Sequence, residues 1–152
     1  MRSIKLDVSI DLPLHAVQLS TGQLVVSHEG STQHRVLTVD SQSGQIIKSY
    51  GGPEGSSVGQ LNSPKCLAID SNDNIFVADF GNNRITLLGP SMNHLGDIKF
   101  NKEKLSSPMI VHLDEDNGRL YIGEWSGRLL VLVFSSSPNP DIKQMKSAPN
   151  NI

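Results

Sequence analysis

"LNSPKCLAIDSNDNIFVADFGNNRITLL", residues 61–88, reads as three short strands broken by two turns. Aliphatic residues gather after Pro64, again at Ile75, Phe76 and Val77, and a third time from Ile85. Between them stand "SNDN" at 71–74 and "FGNN" at 80–83, whose Asn, Asp and Gly tolerate the positive φ of tight hairpins. No apolar spacing follows a helical 3.6-residue period. Asp79 directly follows the most apolar run, and Arg84 comes five residues later. That acid could be a catalytic group, a metal ligand or a structural pin.

The same pattern is written twice more. "IDLPLHAVQLSTGQLVVSHEG" carries Pro13 and "LSSPMIVHLDEDNGRLYIGEW" carries Pro108, so the three prolines lie 51 and 44 residues apart. From each proline to the first apolar residue of the next strand (Leu24, Ile75, Leu120) the distance is 11, 11 and 12 residues. An arginine then opens a third strand in each copy: Arg35, Arg84 and Arg128. "GQIIKSYGG" and "HLGDIKF" add a fourth strand to the first two copies. Four short antiparallel strands recurring at about 45 residues predict the blades of a β-propeller. Each proline sits at the start of an innermost strand, where its missing N–H does no harm.

The predicted fold is therefore all-β: a partial β-propeller of about three four-stranded antiparallel blades. Its expected divisions are an outer strand at 3–10, blades at 12–51 and 62–100, an incomplete blade at 106–134 and a disordered tail at 135–152. The middle copy, with its Gly-rich approach, L-x-x-P, V-A-D and N-R-I, resembles an NHL repeat. The outer copies depart from it, with Ser27–His28 and Gly123–Glu124 in place of Ala78–Asp79. The resemblance spans residues 9–134 and is similar to the NHL domains of tripartite-motif proteins. It implies a rigid module that selects a protein partner, as in ubiquitin-ligase components. No RING or B-box Cys/His cluster accompanies it.

Known propellers close with at least about four blades. Three readings follow: a piece of a longer propeller, an open half ring, or a homodimer of two three-blade halves. In the last, residues 3–10 of one copy would complete the third blade of the other. The 152 residues suit one domain with a real core, and 37% apolar with 18% charged residues reads as soluble and globular. A net charge of −2 exerts no pull toward phosphate backbones or anionic membranes. No window approaches the ~20 apolar residues of a membrane helix, the first residues hold no signal-peptide run, and Cys66 is a lone cysteine. These features predict a cytoplasmic protein without a membrane partner.

Position decides how Asp79 is read. His28, Asp79 and Glu124 occupy one place in three copies, each followed by Arg35, Arg84 or Arg128. A group repeated once per blade serves the blade, so these residues, with Pro13, Pro64 and Pro108, are expected to be structural. His15, His28, His34, His94 and His112 show no metal-ligand spacing. His15 and Cys66 each lie two residues after a blade proline, as would suit a channel site, but Ile110 holds that position in the third copy. No metal and no cofactor are expected. No G-x-S-x-G occurs, and "GGPEGSSVG" at 51–59 lacks the ending of a phosphate loop. The expected use is a non-catalytic scaffold that binds a protein through its interstrand loops. Phe80, Asn82, Asn83, Trp125 and Lys65 are the candidate contacts; Phe80 and Trp125 hold matching places and would be the anchors if exposed, or covers for a neighbouring blade if not. Two alternatives stand beside it: an RNA-binding face, and a metal-dependent lyase or lactonase like some enzymes that resemble NHL propellers.

Overall fold

The computed structural model describes residues 3–7, 9–98, 100, 104–134 and 146–147. Three four-stranded antiparallel sheets follow one another along the chain, with no α-helix among the described residues. The first contains β1 (Pro13–Gln18), β2 (Leu24–Glu29), β3 (His34–Val39) and β4 (Ile46–Gly52). The second contains β5 (Pro64–Ile69), β6 (Ile75–Asp79), β7 (Arg84–Leu88) and β8 (His94–Ile98), with one 3-10 turn at Phe80–Asn82. The third contains β9 (Pro108–Asp114), β10 (Arg119–Glu124), β11 (Leu129–Val133) and β12 (Lys146–Ser147). Strands neighbour one another in chain order within every sheet, and β1, β5 and β9 stand side by side. These are propeller blades fanned from their innermost strands. All three prolines begin an innermost strand, as their spacing predicts.

Side-chain alternation explains the stacking. One face of the first blade offers Val25, Val36 and Tyr50, which meet Leu67, Ile75, Val77 and Leu88 of the second. The other face of the second blade offers Ala68, Phe76, Ile85 and Leu87, which meet Val111, Leu120, Ile122 and Leu132 of the third. Successive residues of β6 thus enter opposite cores, and all five are buried. A strand covered on both faces must be apolar at every position rather than at alternate ones, which is why "IFVA" reads as a continuous run. The L-x-x-P residues Leu61 and Leu105 are buried where the chain crosses between blades, and Ile10 holds the same place before Pro13.

Two expectations fail. Residues 3–10 alternate in hydropathy, but those described among them, 3–7, 9 and 10, form no strand: Leu6 and Ile10 pack on Val26, Leu37 and Val39 of the first blade, and Asp7 N–H donates to Gly44 O at 3.1 Å. Alternation supplies an apolar face, and here that face is used for packing without a ladder partner. The third blade is not limited to three strands, and the tail is not wholly without structure. Lys146 and Ser147 pair with Val133 and Leu132 as a two-residue β12. Two residues are too few for any period to show in sequence. The rest of the expected tail, 135–145 and 148–152, lies outside the described residues.

Leu61 and Val58 share one interblade loop but differ completely in exposure. Leu61→Ala should cost about 2–5 kcal/mol in urea unfolding, whereas Val58→Ala should stay within about 0.5 kcal/mol.

Candidate functional site

At the rim where each innermost strand starts, the recurring acid and arginine form a clasp. Asp79 is fully buried at the end of β6. Its Oδ1 accepts the Asn62 N–H at 2.7 Å, and its Oδ2 accepts Arg84 Nε at 2.7 Å and Asn82 Nδ2 at 2.8 Å. Arg84 in turn donates to the carbonyls of Gln60 (2.9 Å) and Ser56 (3.0 Å). The third blade repeats this with a longer acid: Glu124 accepts Ser106 N–H at 2.7 Å and Arg128 at 2.7 Å, and Arg128 donates to Lys104 O at 2.7 Å. Asn62 and Ser106 each precede a blade proline by two residues, Gln60 and Lys104 by four. The clasp therefore fixes the entry of the chain into β5 and β9.

The first blade keeps the position and changes the chemistry. His28 Nε2 lies 2.7 Å from Asp11 Oδ1, and Asp11 again precedes the proline by two residues. Arg35 donates to Ser9 O, four residues before the proline, at 3.0 Å. Arg35 Nε and His28 Nδ1 are both buried without a hydrogen-bond partner. The carboxylate has moved from the strand end to the entering loop.

Electrostatics separate the three acids. The Arg128 guanidinium beside Glu124 holds its carboxyl below the usual carboxylate range. His28 does the same for Asp11. Burial pushes Asp79 up, against the pull of the Asn62 N–H, Asn82 and Arg84. Both carboxylate oxygens of Asp79 are thus occupied by donors of its own blade and its entering loop.

The five proposed contact residues all fall on this same rim, in different conditions. Lys65 pairs with Glu29 and places its Nζ 5.5 Å from the Phe80 ring centroid. Asn82 is held by Asp79 and by Gly55 O at 2.8 Å. Asn83, in the left-handed region at φ 54, accepts the Ser107 N–H at 2.7 Å. Phe80 is half-buried, while Trp125 is 73% exposed. Asp11, Ser9, Glu29 and Ser63, whose hydroxyl donates to Glu29 at 2.7 Å, belong to this rim but have no motif of their own. Offset from the blade proline was the one signal that could have found the first two. Among the described residues no three His, Cys, Asp or Glu side chains gather in a metal-holding arrangement.

Comparison with known proteins agrees with this geometry. A family model described as NHL repeat matches residues 61–86, the span holding Leu61, Asp79 and Arg84. The middle blade is similar to an NHL repeat. Among solved structures, a streptogramin B lyase superposes with a TM-score of 0.53 at 15% identity, covering 80% of this chain and 40% of that one. A Bacteroides caccae protein of unknown function gives 0.56 at 16%, covering 90% and 45%. A catalytically inactive H270A virginiamycin B lyase from Staphylococcus aureus, determined with quinupristin, gives 0.53 at 15%, covering 85% and 42%. The chain spans less than half the length of each. At such identity the likeness is one of fold: these are β-propeller proteins. No curated protein sequence matches.

Asp79→Ala should cost about 1–3 kcal/mol in denaturant unfolding, because the Asn62 N–H and the Asn82 amide lose a buried acceptor, while Arg84 keeps Asp97 at 3.3 Å. For Glu124 the folded pKa lies below the unfolded one, so its stabilisation is present above the unfolded value and is lost as pH falls through the folded value. Glu124→Gln should therefore lower the melting temperature at pH 7 and lose less on acidification to pH 3 than the parent chain does.

Proposed function

We propose that this protein is a non-catalytic recognition module that binds a protein partner on its proline rim, with Trp125 as the anchoring side chain. One contrast carries this reading: the rim's charged and amide groups are engaged within and between blades, while its indole faces solvent. A large exposed aromatic on a rigid loop gives much contact area for little lost conformational freedom, the usual character of an interface hot spot. Trp125 N–H donates to Ser107 O at 3.0 Å, so the backbone beneath the ring is fixed before any partner arrives. The likeness of the middle blade to an NHL repeat favours the substrate-selecting role that such modules play in ubiquitin-ligase-type proteins.

The lyases among the structural neighbours keep an enzymatic reading in view, and their likeness extends to fold alone. The rim residues favour binding, since Glu29, Asp79 and Glu124 are each committed to a cationic side chain. An RNA face draws its support from Lys65 and the aromatic pair at matching positions, yet Lys65 is committed to Glu29.

Affinity capture with the folded chain should recover a protein partner whose retention falls at least about 30-fold with Trp125→Ala, a loss of about 2 kcal/mol or more. The same substitution should leave the unfolding midpoint unchanged. Single-stranded RNA binding that weakens steeply with salt would support the nucleic-acid reading instead.

A further inference from the structure

The seam between the first and second blades is held by different chemistry from the seam between the second and third. At the proline rim the Ser63 N–H donates to His34 Nδ1 at 2.8 Å. In the next seam the Ser107 N–H donates to Asn83 Oδ1 at 2.7 Å. Both donors immediately precede a blade proline, and both acceptors immediately precede the arginine of the blade before. The innermost strands differ in the same way. The Leu67 N–H donates across the first seam to His15 Nδ1 at 3.2 Å. Cys66 holds the place of His15 in the second blade, and its thiol donates to Val111 O at 3.6 Å. The first seam therefore uses two imidazole acceptors where the second uses an amide oxygen and a thiol.

An imidazole accepts at Nδ1 only while that nitrogen carries no proton, and the imidazolium donates from both nitrogens. The N–H groups of Ser63 and Leu67 thus require neutral rings protonated at Nε2. Protonation would set one N–H against another. His28 and His94 differ, because each meets a carboxylate through Nε2, Asp11 at 2.7 Å and Asp97 at 3.2 Å, a contact that the charged ring keeps. His34 is buried, so water replaces its lost contact only if the seam opens.

Charged groups face His34 from both blades. Glu29 is its register partner on β2, and that carboxylate accepts the Ser63 hydroxyl at 2.7 Å and pairs with Lys65 of β5. Arg35 follows His34 in β3, Gly52 pairs with it from β4, and Asp79 takes the N–H of Asn62, the neighbour of Ser63. His15 pairs in register with Ser27, whose hydroxyl donates to Lys65 O at 3.1 Å, and Lys65 and Cys66 are the titratable residues before Leu67.

We propose that the first seam is a pH-sensitive joint, closed while His34 and His15 are neutral and loosened when they are charged. Its two bonds are present above the ordinary histidine range, near about pH 6.5, and are lost as pH falls through it. Glu29 stands ready to take the charged His34 ring, which turns a bond across the seam into one within the first blade. The second seam has no such acceptor and stays closed. This inference does not rest on the partner-binding reading, and its test involves no other protein.

Amide hydrogen exchange on the full 152-residue chain, read by NMR and divided by the unstructured rate at each pH, tests it. Between about pH 7.5 and about pH 5.5 the protection of Ser63 and Leu67 should fall about fivefold, the weight of one hydrogen bond, while that of Ser107 holds. At the higher pH the imidazole nitrogen shifts should show Nδ1 of His34 and His15 without a proton. His34→Asn gives the first seam the acceptor of the second, so Ser63 should stay protected at both pH values, with circular dichroism checking the fold. A neutral His34 ring with its proton on Nδ1 overturns the inference whether or not that variant folds. So does equal Ser63 protection at both pH values, an equal loss at Ser107, or a pH dependence of Ser63 that survives His34→Asn.

Discussion

A buried carboxylate with an arginine across its hairpin holds each of the last two blades to the chain that enters it. The Asp79–Arg84 pair matters less for its own attraction than for what it gathers. The acid takes the N–H two residues before the proline, and the guanidinium takes the carbonyl four residues before it. A loop crossing from one sheet to the next leaves such backbone groups without ladder partners, and burying them unpaired costs more than any one contact returns. The clasp supplies those partners from the blade itself. With the entry fixed, the innermost strand begins at the proline, and the alternation of its side chains sets both faces of the blade.

The first blade separates what the clasp must do from how it does it. Arg35 still reaches Ser9 O, so the guanidinium-to-carbonyl half is intact. The acid half is inverted: His28 is the buried member and Asp11 the exposed one. Two buried nitrogens go unpartnered there. This version lies against Ser9 and Asp11 of the entering segment.

Most of the architecture is legible in the residues because repetition amplifies weak signals. A single proline or a single "NDN" turn says little, but three prolines with near-constant offsets place the inner strands of all three blades, and Asp79, Glu124 and their arginines follow by position. Legibility ends where only one copy of a signal exists. "SIKLDVSI" has strand alternation, and only a neighbouring edge decides whether alternation becomes a ladder. Lys146–Ser147 are paired by the free edge of β11, a property of the sheet and not of those two residues. The rim contacts were hidden for another reason. Asn82 and Asn83 look like solvent-facing turn residues, yet their amides are spent on Asp79 and on the next blade. Local sequence cannot reveal a bond whose other end belongs to a different repeat.

Each seam between blades is fastened at both rims, by Ser63 to His34 and Ser107 to Asn83 at the proline rim and by Ser20 to Asp73 and Ser71 to Glu115 at the other, which bears on how the protein comes apart. With a polar rivet at either margin and a greasy leaf between, neighbouring blades are coupled to each other and scarcely to anything further away. Heat or mechanical load would then part neighbouring leaves one seam at a time, each seam holding until both of its rivets give way.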